Sequence, residues 1–238
     1  MIKMLCRIAD LIAEVPAAGG LAPRCEAYLC EDEQIPQIII REDKYRKYKF
    51  APSVSEDMIA YMESAAQFYI QLLRYDGFYL HSSAVMVDDK VYLFSGHSGA
   101  GKSTHTQLWQ QRFGKDARII NDDKPAIRYV CGKWIAYGTP WCGKDGINEN
   151  LCAPVAGVCF LNKADHNAIR RLPSQEAMQK ILAQTIHRFD KLENLDLLLM
   201  LLDRFLAEVP VYELENRPEA EAAQLSYETM CKGAEEMG

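Results

Sequence analysis

The sequence of 238 residues predicts a mixed α/β fold in which antiparallel strands lead into a glycine-rich loop. Three observations carry this. Short apolar runs bounded by turn residues, such as Ser83–Val87 and Val91–Ser95, read as strands. Longer segments with apolar residues at helical spacing alternate with them. The clearest strand pairs are separated by only a few residues, so they are hairpins, which a purely parallel sheet does not contain.

In chain order, residues 1–50 read as short strands, KMLCRIADLI and then PQIII after Pro36. A loop rich in Ala, Gly and Pro lies between them, from Pro16 to Pro23. The charged run Arg41 to Lys49 reads as a solvated edge. A helix is expected from Ser55 to Tyr75, because Met58, Ile59, Met62, Ala66, Tyr69, Leu72 and Leu73 share one face. Ser53 and Glu56 have the spacing of a capping box, and Gly77 stands just past the helix end. Asp88, Asp89 and Lys90 join the next two strands. After the glycine loop a helix is expected from Lys102 to Phe113, stopped by Gly114. Ala117–Asn121 reads as a buried strand, and AIRYV and KWIAYG as a hairpin around Cys131-Gly132. Pro154–Leu161 reads as a core strand. Helices are expected at Ser174–Arg188, Leu195–Glu208 and Ala220–Lys232, with the strand VYEL between the last two.

Composition excludes several classes. Lys plus Arg is 27 and Asp plus Glu is 33, a net charge of −6, which argues against a nucleic-acid binder held by bulk charge. Hydrophobic residues are 49% and charged residues 25%, so the chain is not disordered. The best apolar run, Leu195 to Leu206, is interrupted by Asp196, Asp203 and Arg204 and is shorter than the roughly 20 residues a bilayer needs. It reads as a buried helix or an oligomer contact. Arg7 and Asp10 break the N-terminal apolar stretch, which lacks a signal-peptide core, so the expected location is cytoplasmic. Eight cysteines form no C-x-x-C pair and no zinc pattern with the five histidines, and they read as ordinary reduced thiols.

One motif carries chemistry. Gly96-His97-Ser98-Gly99-Ala100-Gly101-Lys102-Ser103 matches G-x-x-x-x-G-K-[ST], the P-loop, between a strand and a helix as that motif requires. Glycines let the backbone curl so that N–H groups point at phosphate oxygens, and the helix adds its positive end. Lys102 would reach the β- and γ-phosphates of ATP, and Ser103 would hold Mg²⁺. Thr104 completes the segment. A phosphoryl-transfer site also needs carboxylates, and Asp122 and Asp123 follow the apolar strand ARII. On this reading one takes the nucleophile's proton and the other supports Mg²⁺, with the two roles interchangeable. His81 begins the hairpin that feeds the loop. Trp109, Trp134 and Trp141 read as core or loop aromatics rather than base-stacking platforms, with Trp141 the candidate among them to face substrate.

Taken together, His81-Ser82-Ser83-Ala84, the hairpin, Phe94–Thr104 and Asn121-Asp122-Asp123 resemble two related groups. These are the catalytic domain of HPr kinase/phosphorylase and the nucleotide core of ATP-dependent phosphoenolpyruvate carboxykinase. The resemblance is close over residues 78–125. It implies a carboxykinase-type mixed α/β P-loop fold, with His81 near the γ-phosphate and metal, and it gives the metal or base role to Asp123. The E-x-R-G-x-G-like signature of HPr kinases is missing. Gly138-Thr139-Pro140-Trp141-Cys142-Gly143-Lys144 stands in its place, a loop that could close over substrate with Lys144 balancing phosphate charge.

The expected layout is one domain. Residues 1–77 form an extension of strands and a helix, 78–172 the nucleotide-binding core, and 173–238 a mostly helical part. The expected activity is transfer of the γ-phosphoryl group of ATP to a hydroxyl, chiefly serine, on a protein, peptide or small molecule. No nucleic acid or membrane is expected as partner, and the resemblance implies self-association. The alternatives are a nucleotide-binding partner protein without catalysis, and an NTPase of the parallel P-loop class.

Overall fold

Ala9 and Asp10 both have left-handed backbone, with φ of 52° and 59°, and they split the first apolar run into a hairpin. The run expected as a single strand is therefore two: β1 (Lys3–Ile8) and β2 (Leu11–Pro16), antiparallel, with Ile8 opposite Leu11. Apolar residues on both sides of Ala9 hide this turn from a reading by pattern. The computed structural model describes residues 3–17, 20–31, 35–186 and 191–237. The expected loop from Pro16 to Pro23 runs into a short helix, α1 (Leu21–Cys25), because Leu21 and Cys25 bury one side of a turn. β3 (Ile38–Ile39) pairs parallel to β2 and completes a three-stranded sheet. The run from Arg41 to Lys49 forms two 3-10 turns, and Arg46 is tied to the buried Glu63 at 3.4 Å.

Helix α2 (Glu56–Leu72) is capped by Ser55, not Ser53, since the Ser55 hydroxyl accepts from Met58 N at 3.2 Å. It ends through a 3-10 turn to Tyr75, and Asp76 takes the left-handed position expected of Gly77. Gly77 instead opens β4 (Gly77–Tyr79). Phe68, Tyr69 and Leu72 are buried against the small sheet, whereas Met58 and Met62 of the expected apolar face are 49% and 47% exposed.

The large sheet begins with the expected hairpin, β5 (Ser82–Val87) and β6 (Lys90–Ser95), turning at Asp88-Asp89 with φ of 50° and 53°. Helix α3 (Lys102–Phe113) follows the glycine loop and stops at Gly114, as expected. Next come β7 (Arg118–Asn121), then β8 (Ala126–Val130) and β9 (Lys133–Tyr137), a hairpin turning at Cys131-Gly132. β10 runs from Cys152 to Lys163, longer at both ends than the apolar core Pro154–Leu161. Two consecutive positive φ values at each of the three hairpin turns match the twist of the flanking strands. β11 (Ala168–Arg171) is too polar to be read from sequence. It is held by antiparallel pairing with β12 (Val211–Asn216).

Nine strands make this sheet, in the order β4-β8-β9-β10-β6-β5-β7, with β12 also on β10 and β11 on β12. β10 runs parallel to β6 and to β12, and its other pairing, with β9, is antiparallel. The strand entering the glycine loop thus lies between an antiparallel neighbour, β5, and a parallel one, β10. The sheet around Gly96 is mixed, which removes the parallel P-loop class from consideration.

Side chains of β5 and β6 alternate between two cores, as the period of two requires. Ala84, Val91 and Leu93 face one core with α4 (Ser174–Ala183) and α5 (Leu192–Glu208). Val85, Tyr92 and Phe94 face another with α3 and α6 (Ala220–Met237). The sheet is covered on both faces, so its central strands read as nearly continuous apolar runs. The expected helix to Arg188 ends at Ala183, and residues 187–190 lie outside the described residues. α5 is not apolar on all sides in place: Leu198, Leu202 and Phe205 are buried, while Met200 is 71% exposed. Among the described residues no helix is long and apolar enough to cross a membrane. The described residues include all eight cysteines, and each is a free thiol.

Candidate functional site

β6 is buried as far as Ser95, whose hydroxyl donates to His81 O at 2.8 Å. This bond ties the start of β5 to the end of β6. The chain then turns at Gly96 with φ of 142°. A Cβ there would lie 3.0 Å from Ala100 Cβ and 3.1 Å from Leu161 O, so both backbone and space call for glycine. Gly99 and Gly101 also have positive φ, and α3 starts at Lys102 with no side-chain cap. Its first N–H groups are left to other acceptors, which makes this end attractive to anions. Lys102 Nζ donates to Gly96 O at 2.9 Å and His97 O at 3.4 Å. Burial lowers the Lys102 pKa, and the negative charge of Asp123 opposes that shift.

Across from this loop, β7 ends in a tightly held turn. Asn121 Oδ1 accepts from the backbone N–H groups of Asp123 and Lys124, at 2.9 and 2.6 Å. Asn121 Nδ2 donates to Thr139 O at 3.0 Å. Thr139 in turn donates to Lys124 O at 2.8 Å. Ser82 N bonds Asp123 O at 3.1 Å, which fixes the turn against β5. Asn121, fully buried, therefore sets the direction of both aspartates.

Asp123 is the most engaged group of the site. Its Oδ1 lies 3.2 Å from His81 Nε2. Its Oδ2 accepts from Tyr61 OH at 2.9 Å and pairs with Lys124 Nζ. Burial alone would raise its pKa, but the His81 bond, the Lys124 charge and bond, and the Tyr61 hydroxyl outweigh it. The carboxyl is held well below the usual carboxylate range. An ionised carboxylate only accepts, so His81 carries a proton on Nε2. His81 Nδ1 meets Gln184 Oε1 at 3.0 Å, and an amide can turn to serve either ring protonation state. Tyr61 OH also lies 3.0 Å from Cys142 O and accepts from Lys124 Nζ at 3.0 Å. Burial first, and then Asp123, raise the Tyr61 pKa, so it stays a neutral donor.

Asp122 points elsewhere. Its Oδ1 accepts from Gly143 N at 2.5 Å, and burial raises its pKa against that bond. Asp122 and Asp123, with Ser98–Thr104, His81 and Lys144, line one cleft of 730 Å³. The cleft brings together the sequence-predicted residues except Trp141 and except Gly96 and His97, which line a smaller neighbouring cavity with Gln184. Ser103, Asp122 and Asp123 supply oxygen donors only, the set that suits Mg²⁺. Among the described residues no group of three or more His, Cys, Asp or Glu forms a metal cluster. A cation held here would take its remaining oxygens from phosphate and water.

Trp141 is a core aromatic, and only its candidacy to face substrate fails. It is fully buried, its ring centroid 4.7 Å from that of Phe68, and its Nε1 donates to Ser64 Oγ at 2.9 Å. It anchors the 138–144 loop from beneath and does not face the cleft. Sequence reasoning missed Tyr61, Gln184, Lys163 and Asn216. Tyr61 sits on α2 with nothing around it that differs from an ordinary helix face, and the others come from elements distant in the chain.

No family model matches the chain, and no curated protein matches it. Among solved structures, the HPr(Ser) kinase/phosphatase from Coxiella burnetii is similar with a TM-score of 0.37 and 14% identity. The match covers 66% of this chain and 90% of that chain.

Proposed function

We propose that the protein is an ATP-dependent phosphotransferase that moves the γ-phosphoryl group to an acceptor hydroxyl, chiefly that of serine. The observation that supports this best is the placing of Asp123 in the same cleft as Lys102 and Ser103, opposite the uncapped start of α3. The phosphates of ATP lie along residues 96–104, with loop N–H groups and Lys102 neutralising their charge. Ser103 and Asp122 would hold Mg²⁺, with Asp123 beside them. Bound there, the ion supplies charge neutralisation on the phosphates.

Asp123 orients the acceptor hydroxyl and receives its proton. A bond forms from that oxygen to the γ-phosphorus, and the bond from phosphorus to the β–γ bridging oxygen breaks with its electron pair leaving on ADP. A carboxylate as acidic as Asp123 is a weak base. That suffices where the transition state is loose and positioning dominates. His81 steers the carboxylate, and Lys144 meets charge on the transferring group from the other wall.

The test is transfer from γ-labelled ATP with Mg²⁺ to free serine, HPr and a peptide fraction, with Lys102→Ala and Asp123→Asn as controls. Label on an acceptor that is lost in both variants supports the reading. Tight nucleotide binding without transfer overturns it in favour of a non-catalytic nucleotide-binding partner protein. The full engagement of Asp123 by three side chains is the observation on that side.

A further inference from the structure

Asp123 lines two cavities. Beyond the cleft that holds the glycine loop, a second chamber of 480 Å³ opens on the side of α1 and α2. Asp123, Gly143 and Lys144 belong to both cavities, so they form the partition between them. The two carboxylate oxygens divide accordingly: Oδ1 meets His81 of the first cleft, and Oδ2 meets Tyr61 and Lys124 of the second chamber. The chamber is lined by Arg24, Met58, Tyr61 and Met62, all from residues 20–62, outside the segment that carries the motif.

Its chemistry is distinctive. Arg24 is held over the Tyr61 ring at 5.2 Å and donates from Nη1 to Cys142 O at 2.9 Å. Its own carbonyl accepts from Asn148 Nδ2 at 2.9 Å. Among the described residues it has no carboxylate partner, and a guanidinium keeps further N–H donors after one bond. Lys124 is spent on Asp123, and Lys144 is exposed at the partition. The one acid other than Asp123 is Asp57, exposed at the start of α2. Met58 and Met62, half exposed, give an apolar and adaptable wall.

We infer that this chamber binds the phosphoryl acceptor, and that the acceptor carries an anionic group and an apolar group beside its hydroxyl. The inference rests on the phosphotransferase reading and names the substrate class of the same site. The hydroxyl reaches Asp123 at the partition, the anion meets Arg24, and the apolar part lies on Met58 and Met62. The volume suits a small molecule or a few residues of peptide. The anion is the acceptor's own carboxylate or an acidic side chain next to it.

Two comparisons test this with γ-labelled ATP and Mg²⁺. One sets L-serine against L-serinamide. The other uses a pool of five-residue peptides with central serine and randomised flanks, whose labelled products are sequenced. The expected result is a preference of about tenfold or more for the anionic acceptor, the size of one charge-assisted hydrogen bond. Arg24→Gln should bring that ratio close to one, while Arg24→Lys retains part of it. A structural loss at Arg24 would slow all acceptors alike and leave the ratio standing. Transfer with no anionic preference, or a preference that Arg24→Gln leaves intact, overturns the inference and spares the phosphotransferase reading. Nucleotide binding without any transfer overturns both.

Discussion

His81 Nε2 lies 3.2 Å from Asp123 Oδ1, joining the first residue before β5 to the turn after β7. Both ends of this contact are braced, His81 by Gln184 and Asp123 by Asn121. Removing the ring with His81→Ala should lower transfer about 10- to 100-fold, at the low end of or below what a positioned general acid or base contributes, because His81 acts through Asp123. Nucleotide affinity should change less than about threefold, since the glycine loop proposed to hold the phosphates is untouched. Equal losses in both quantities would place His81 in nucleotide binding instead, and single-turnover rates with ATP titrations separate the two.

The Tyr61 hydroxyl reaches Asp123, Lys124 and Cys142 O from one position on α2. Tyr61→Phe keeps the ring under Arg24 and removes only this hub. Stability should fall by about 1–3 kcal/mol, the loss on leaving buried partners unsatisfied. The turnover number should fall further than the acceptor KM rises, because the ring still lines the chamber. Denaturant melts and steady-state kinetics on the same preparation check both.

His105 gives a pH dependence that lies away from the cleft. Ser226 donates to Ala223 O, so its oxygen accepts from both Trp109 Nε1 and His105 Nε2, each at 3.0 Å. The proton is thus on Nε2, and buried Nδ1 has no partner. Burial lowers the His105 pKa from 6.5 to about 4. An unfolded chain takes up this proton near pH 6.5 and the folded one does not, so stability falls as pH drops from about 6.5 to about 4. The loss amounts to about 3 kcal/mol. His105→Gln should be less sensitive to pH across that window in urea titrations. An identical pH slope in both proteins would refute the assignment.

Gly138 is needed for space. A Cβ there would meet Glu149 O at 1.9 Å and Ile120 O at 2.6 Å, both backbone atoms. Gly138→Ala should destabilise by about 3 kcal/mol, because the backbone must move. It should also loosen the turn that carries Asp122 and Asp123, through Ile120. A thermal melt close to that of the parent protein would contradict the packing seen here.

The hairpin before the glycine loop, the loop itself and the helix to Gly114 were legible because each is written in neighbouring residues: a period of two, a spaced glycine motif and a stop. The same holds for Asp122 and Asp123 at the end of a short apolar strand. What was not legible depends on residues far apart in sequence. The Ala9-Asp10 turn is flanked by apolar residues and lacks a turn signature. Met58 and Met62 obey helical spacing yet face a chamber, since what covers a helix face is decided by other elements. An aromatic in a glycine-bounded loop, such as Trp141, suits either the core or a substrate, and what decides for the core is distant in sequence: its indole N–H finds Ser64 on α2.

β10 has a consequence for how the chain is made. It is the partner that both β6 and β9 require, and it begins only at Cys152. Until β10 is made, the β5–β6 hairpin, and after Tyr137 the β8–β9 hairpin as well, each present a free, largely apolar edge to the cell. Such edges invite pairing with other chains. The interval ends once Lys163 clears the exit tunnel, when one strand can join the two halves. A pause in translation before that point should raise aggregation and demand for chaperones, and a pause after it should do so far less.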